Sequence, residues 1–158
     1  MSPRRIAIAA ALALAALAIF LAALWSPERQ VRLHQEHLLG AVSKRNWQRV
    51  SPFIAEEYSD RWGHDKAIVL GAAREAFSQF FVLEITMRDP VVSARDGNGE
   101  VSARLIARGS GGPLAQLVIE RLSELREPFT FRWRQRSWKP WDWALMSMDQ
   151  PTLEVPEF

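Results

Sequence analysis

Tyr58, Asp60, His64 and Asp65 fall within the eight-residue segment YSDRWGHD. A phenol, two carboxylates and an imidazole at that density could do general acid–base work. Such work needs a donor and an acceptor held together with shifted pKa values. Tyr58 is also the only tyrosine in the chain. The same residue types build turns and helix caps, and Asp65 stands where it could cap a following helix. Tyr58, Asp60 and His64 are therefore carried as candidates for catalysis beside a purely structural role, with no catalytic residue assigned.

Other chemistry finds less support. His34 and His37 are three apart and can share a helix face. Zinc would need at least a third ligand, and none stands at motif spacing, so neither a metal nor a cofactor is expected. GSGGP at 109–113 opens a helix but lacks the Lys-Ser/Thr of a phosphate loop, and Pro113 removes a backbone donor. No serine sits in a nucleophile elbow. Cysteine is absent, which excludes disulfides, thiolate metal sites, a cysteine nucleophile and lipid attachment through sulfur. The formal charge of +2 is too small for a polycation built to bind nucleic acid.

The elements that must position these residues begin with an apolar run. Residues 6–25, IAIAAALALAALAIFLAALW, contain no charge, glycine or proline. A helix of that length spans about 30 Å, the thickness of a bilayer's hydrocarbon core. Arg4 and Arg5 flank one end and Trp25 the other, the place of an interfacial aromatic. Two fates fit: an uncleaved single-pass anchor, or a signal peptide whose removal would release a secreted domain. Phe20, Leu24 and Trp25 spoil a small-x-small cleavage signature and favour the anchor. Arg4, Arg5 and the terminal amine favour an inside N-terminus, with the domain extracytoplasmic. Arg29 and Arg32 weaken that asymmetry.

Three segments of helical period follow, starting at Pro27, Ser51-Pro52 and Asp65. Val31, His34, Leu38 and Val42 mark the first stripe. Trp47, Val50, Ile54 and Tyr58 mark the second. Val69, Ala73, Ala76, Phe77 and Phe80 mark the third. The period then becomes two. FVLEITMR continues through a kink at Asp89-Pro90 into DPVVSAR, DGNG makes a hairpin turn, and EVSARLIAR returns. A helix over LAQLVIERLSEL is inserted before FTFRWRQRSW and WDWALMSMDQ. The expected fold is α+β: a transmembrane helix, then about three helices packed on a curved, mostly antiparallel sheet of about four strands with one inserted helix. The expected organisation is an anchor or signal segment over 1–26, one domain over 27–150, and a loosely held tail over 151–158.

Three helices before a curved sheet, the junction RNWQRVSPFIAEEYSD and the closing Trp-rich hairpin resemble the nuclear transport factor 2-like superfamily, the SnoaL-like or cystatin-like cone-shaped α+β fold. The resemblance covers roughly residues 30–150. It implies a conical pocket between the concave sheet face and the helices. Its members include isomerases, dehydratases and many noncatalytic domains, so fold alone does not choose a function. The helix in GGPLAQLVIERLSEL departs from the usual plain hairpin. It would cover the pocket mouth or add packing.

Strand alternation sorts the side chains. Phe81, Leu83, Ile85, Phe129, Phe131, Trp133, Trp141 and Trp143 are expected to face inward and line an apolar pocket. Asp149 is the only carboxylate in register with them, so no isomerase-type acid–base pair is visible on the sheet. Arg104, Arg108, Arg132, Arg134 and Arg136 are expected on the outer face, with Glu84 and Asp142 as acidic neighbours. They form either a solvated face or a basic patch for anionic headgroups or a protein partner. The leading expectation is a membrane-anchored, noncatalytic domain for a small hydrophobic ligand or a protein partner. The first alternative is a cofactor-free pocket enzyme of isomerase or dehydratase type using Tyr58, Asp60 or His64. The second is an assembly subunit of an envelope complex.

Overall fold

The computed structural model describes residues 3–153, with side chains from Ile8 onward. Among the described residues the fold is α+β, with five α-helices and one four-stranded antiparallel sheet. Helix α1 spans Pro3–Leu24, α2 Pro27–Ser43, α3 Trp47–Val50, α4 Lys66–Ala76 and α5 Pro113–Glu124. Strands β1 (Phe80–Arg95), β2 (Asn98–Gly111), β3 (Phe129–Gln135) and β4 (Trp143–Asp149) lie side by side in chain order.

From Ile8 on, α1 exposes Ile8, Leu12, Leu14, Leu17, Ile19 and Phe20, so its apolar surface is not used by the domain. Among the described residues no single helix is long and apolar enough to cross a membrane. Ile8–Leu24 and Pro27–Ser43 together have the required length and composition, bent by 51° at their junction. Pro27 occupies the first turn of α2, where its missing N–H costs nothing. That helix buries Val31, Gln35, Leu38, Leu39 and Ala41 against the sheet. The fit is tight at Gly99, where an added Cβ would lie 2.5 Å from Val31 Cγ2. Glycine is what permits that approach.

The second helical segment is shorter than its periodicity suggests. After α3, a 3-10 turn over Ser51–Phe53 ends at Ile54, whose backbone is extended. Ile54 bridges Leu145 in parallel, Ala55 N–H donates to Leu145 O at 3.0 Å, and Ser59 N–H donates to Met146 O at 3.1 Å. The free edge of β4 captures this stretch and satisfies its own backbone groups. Ile54 and Tyr58 keep their burial as parts of an extended segment. Asp65 caps α4 through Oδ1, which accepts from Ile68 N–H at 2.9 Å. No side chain of α4 is fully buried, and of its expected stripe only Phe80, which belongs to β1, is.

In the β1–β2 hairpin, Asp96 and Gly97 have φ of 52° and 74°. A two-residue turn matched to strand twist requires that pair of positive values. The kink at Asp89-Pro90 is a bulge, with Arg88 opposite Arg104 and Val91 opposite Ser102. Val92, Ala94, Gly99, Val101 and Ala103 then share the inner face with Phe129, Phe131 and Trp133, by register and burial. Tyr58, Val101, Phe129, Phe131, Trp133, Trp143 and Leu145 form the main core with α2. Phe80, Leu83, Ile85, Ala107 and Ala115 form a smaller core beneath α5.

The alternation fails at three places, each with a local cause. Phe81 is the extra residue between the Phe80–Gly111 and Val82–Ser110 pairs, so it turns out and is 77% exposed. Trp141 precedes β4, in the turn closed by Asp142 N–H to Lys139 O, and is 53% exposed. A further bulge sets Arg132 opposite Ser147 and Trp133 opposite Leu145, leaving Met146 unpaired. It brings Met148 opposite Phe131 and carries Asp149 to the outer face, where it meets Arg61. Residues 151–153 are not loose. The Gln150 amide oxygen, on a fully buried side chain, accepts from Thr152 N–H at 2.8 Å and from Leu153 N–H. The remainder of the expected tail lies outside the described residues.

Candidate functional site

Tyr58, Asp60 and His64 do come together, but around one another. The Asp60 side chain is fully buried. Its Oδ1 accepts from Trp62 N–H at 3.0 Å and His64 N–H at 2.9 Å. Its Oδ2 takes the Tyr58 hydroxyl at 3.3 Å and His64 Nδ1 at 3.2 Å. Two oxygens offer about four acceptor sites, and all four are used. Burial first, then the Asp60 charge and its hydrogen bond, push the Tyr58 hydroxyl far above the ordinary phenol pKa. Such a group is a poor acid and is not a base at neutral pH.

The loop has a mechanical purpose. Gly63, at φ 80°, lets the chain turn back so that His64 N–H reaches Asp60. This presents Arg61 and Trp62 to the end of β4 and the segment after it. Arg61 bonds Asp149 Oδ1 at 3.2 Å and Gln150 O at 3.4 Å, and Trp62 Nε1 donates to Leu153 O at 3.0 Å. The indole of Trp62 stacks on His64, with ring centres 6.3 Å apart. The candidate acid–base cluster is thus a clasp between the loop and the C-terminal segment. Spacing alone could not show this, because the partners lie some ninety residues away.

Of the eight expected pocket-lining residues, Phe81 and Trp141 point out of the interior. Leu83, Ile85, Phe129, Phe131, Trp133 and Trp143 are buried at 7% exposure or less and pack into the two cores. Phe129 and Phe131 stack with centres 6.1 Å apart. A wide cleft of about 870 Å³ opens elsewhere, and of the eight only Trp133 borders it. Its charged rim is formed by Glu28, Glu57, Arg95, Glu100, Arg132 and Arg134. Tyr58, Asp60 and His64 border neither this cleft nor the smaller one beside Arg29 and Arg32.

The outer-face arginines are less free than a basic patch requires. Arg104 meets Asp89 at 2.8 Å, Arg132 meets Glu100 at 3.5 Å, and Arg136 meets Asp142 at 2.9 Å. Arg108 stands opposite Glu84 and Arg134 opposite Asn98 and Ala144. The acidic partners are thus Asp89 and Glu100 as well as the expected Asp142. Alternation could not reveal Asp89, because the bulge brings it to Arg104. Asp142 also accepts from the Ser137 hydroxyl at 2.6 Å, which, ahead of the Arg136 contact, holds its carboxyl below the usual range.

The described residues contain no cluster of three potential metal ligands around His34 and His37 or elsewhere. Both ring nitrogens of His34 face carbonyl oxygens, Gln30 O at 2.7 Å and Trp141 O at 2.9 Å. The histidine links α2 to the β3–β4 turn. Sequence reasoning also passed over Gln35. It is fully buried, its Oε1 accepts from Trp133 Nε1 at 3.0 Å, and its Nε2 has no partner among the described residues.

No protein-family model and no curated protein matches the chain. Solved structures do. A protein of the NTF2-like family from Streptomyces avermitilis aligns over 77% of this chain and 93% of its own, with TM-score 0.58 and 15% identity. A protein with a cystatin-like fold from Nostoc punctiforme aligns over 78% and 91%, with TM-score 0.55 and 10% identity. Bd1075 of Bdellovibrio bacteriovorus aligns with TM-score 0.59 and 6% identity over 77% of this chain, which spans only 40% of Bd1075. The fold is therefore that of the nuclear transport factor 2-like domains. At these identities the likeness carries the fold and not an activity.

Proposed function

We propose that the chain is a membrane-anchored, noncatalytic interaction domain that meets its partner through the charged cleft on its sheet. One observation carries the noncatalytic part: every acceptor position of Asp60 is taken within its own loop. An isomerase or dehydratase would need that carboxylate open to a substrate. A hydrophobic ligand would need room among side chains that pack on one another. The cleft offers Arg95, Arg132 and Arg134 beside Glu28, Glu57 and Glu100, the mixed charge that selects a complementary protein surface. The anchor is the apolar run of residues 6–25, whose side chains from Ile8 to Phe20 stand exposed, with the domain on the extracytoplasmic side.

Alkaline extraction tests the anchor. The full chain stays with membranes, and a chain beginning at Pro27 is released. In-cell photocrosslinking from Ser93 in the cleft tests the interaction. A discrete adduct disappears on charge reversal at Arg95, Arg132 and Arg134 and survives Asp60→Asn at a temperature where that variant is folded. Survival of the adduct after charge reversal overturns the reading.

A further inference from the structure

The turn between β3 and β4 carries two exposed indoles that the domain itself does not use. Trp138 is 85% exposed and Trp141 53%. Folding gains little from Trp138, yet the turn holding it is closely hydrogen-bonded. Asp142 accepts from Ser137 Oγ at 2.6 Å and Arg136 Nε at 2.9 Å. Lys139 O accepts from Gln135 Nε2 at 2.9 Å, and Pro140 O accepts from Trp143 Nε1 at 2.8 Å. His34 Nε2 holds Trp141 O at 2.9 Å. A turn this constrained fixes the backbone from which its indoles project.

One of the two indoles, Trp141, meets the end of the apolar helix. Trp25, the residue after α1, is 49% exposed and meets Trp141 edge-on, with ring centres 6.5 Å apart at 63°. Trp25 and Trp141 thus make one exposed aromatic surface where α1 leaves the domain, and Trp138 lies on the same turn. Lys139, Arg29 and Arg32 are exposed nearby in the chain. Indoles with neighbouring cations suit the headgroup layer, where the ring meets acyl chains and the N–H and ammonium groups meet water and phosphate.

We infer that the Ser137–Trp141 turn is a second membrane contact, which seats the domain on the bilayer surface beside α1 with Trp25, Trp138 and Trp141 at headgroup level. This rests on the anchor reading above. The occupant is lipid because the turn is continuous with the apolar helix through the Trp25–Trp141 contact.

The chain has no cysteine, so Trp138→Cys and Gln116→Cys each give a unique thiol for an environment-sensitive fluorophore. Both sites are exposed, and Gln116 lies on α5, which packs at the other end of the sheet. The full-length chain is reconstituted into phosphatidylcholine vesicles, its fold checked by circular dichroism, and floated on a density gradient. The expected result is co-flotation, with the label at 138 blue-shifted and quenched severalfold more by shallow spin-labelled lipid than the label at 116. If the chain floats but both labels are quenched alike, the turn does not touch lipid and the inference falls while the anchor stands. If the label at 138 escapes lipid quenching and is shielded from aqueous iodide, a protein covers the turn and the inference falls equally. A chain that does not float overturns the anchor and, with it, the seating of the turn.

Discussion

Gln35 and Trp133 meet at the centre of the molecule, where the indole Nε1 donates to Gln35 Oε1 at 3.0 Å and neither side chain exceeds 1% exposure. The indole can only donate, so the atom facing it is the amide oxygen. Gln35→Leu strands the indole N–H, at a cost of about 1–3 kcal/mol. Gln35→Leu with Trp133→Phe removes donor and acceptor together. Urea denaturation should show the double variant less destabilised than the sum of the single ones, by on the order of 1 kcal/mol.

Asp60 organises the Tyr58–His64 loop through four accepted hydrogen bonds. Asp60→Asn keeps the shape but sets an amide NH2 against one pair of donors. The expected loss is about 1–3 kcal/mol, read as a lower Tm. The loop also clamps the segment after β4, so amide exchange at Thr152 and Leu153 should quicken in the variant more than exchange in β2.

Tyr58 is the only tyrosine, so tyrosinate absorbance in this chain reports on one group. Burial raises its pKa in the folded state above the unfolded value of about 10. The sign follows: the unfolded chain releases the phenol proton first, so this contribution is intact below about pH 10 and is lost as pH rises beyond it. Tyrosinate absorbance should appear only with unfolding. In Tyr58→Phe the fall of Tm above pH 10 should be shallower. A reversible tyrosinate signal in the folded protein would contradict the burial argument.

Gly99 sits where α2 presses on the sheet, with Val31 Cγ2 2.5 Å from the position of an added Cβ. Gly99→Ala should cost about 1–3 kcal/mol by overpacking. The obstacle is a side chain and not backbone, so Val31→Ala in the same chain should recover part of the loss. At Gly109 the obstacle is the Val82 carbonyl oxygen, 2.1 Å away, and Gly109→Ala should have no such single-residue rescue.

The Arg132–Glu100 and Arg104–Asp89 pairs lie among half-exposed side chains. Arg132→Ala or Arg104→Ala should change stability by less than about 1 kcal/mol, and 0.5 M salt should shrink the difference further. A larger loss would show that these arginines support the fold as well as its surface.

Much of the architecture was legible because it follows from period and punctuation. The hairpin at Asp96-Gly97, the cap at Asp65 and the inserted helix behind Pro113 rest on local backbone preferences, and the structure contains each. The inward set was legible only between bulges. One extra residue at Phe81, another near Asp89-Pro90 and a third at Met146 each reverse the parity that strand reading depends on. Bulges arise from the fit of one strand to another, so Asp149 and Phe81 were set on the wrong face by an alternation that was locally sound.

The sequence by itself determined most of which segments are helical and which are extended, residues 54–58 excepted, and that a long apolar stretch precedes an α+β domain. Those properties depend on side-chain type and on neighbours a few residues away. Only the tertiary structure decided the roles of the chemical groups. It closed Tyr58, Asp60 and His64 around one carboxylate. It paired three of the five patch arginines with acids. It buried most of the expected pocket and turned Phe81 and Trp141 outward. Each outcome depends on a hydrogen-bond partner or a packing neighbour that residue spacing does not specify, whether within one loop, as at Asp60, or across the sheet, as at Arg132.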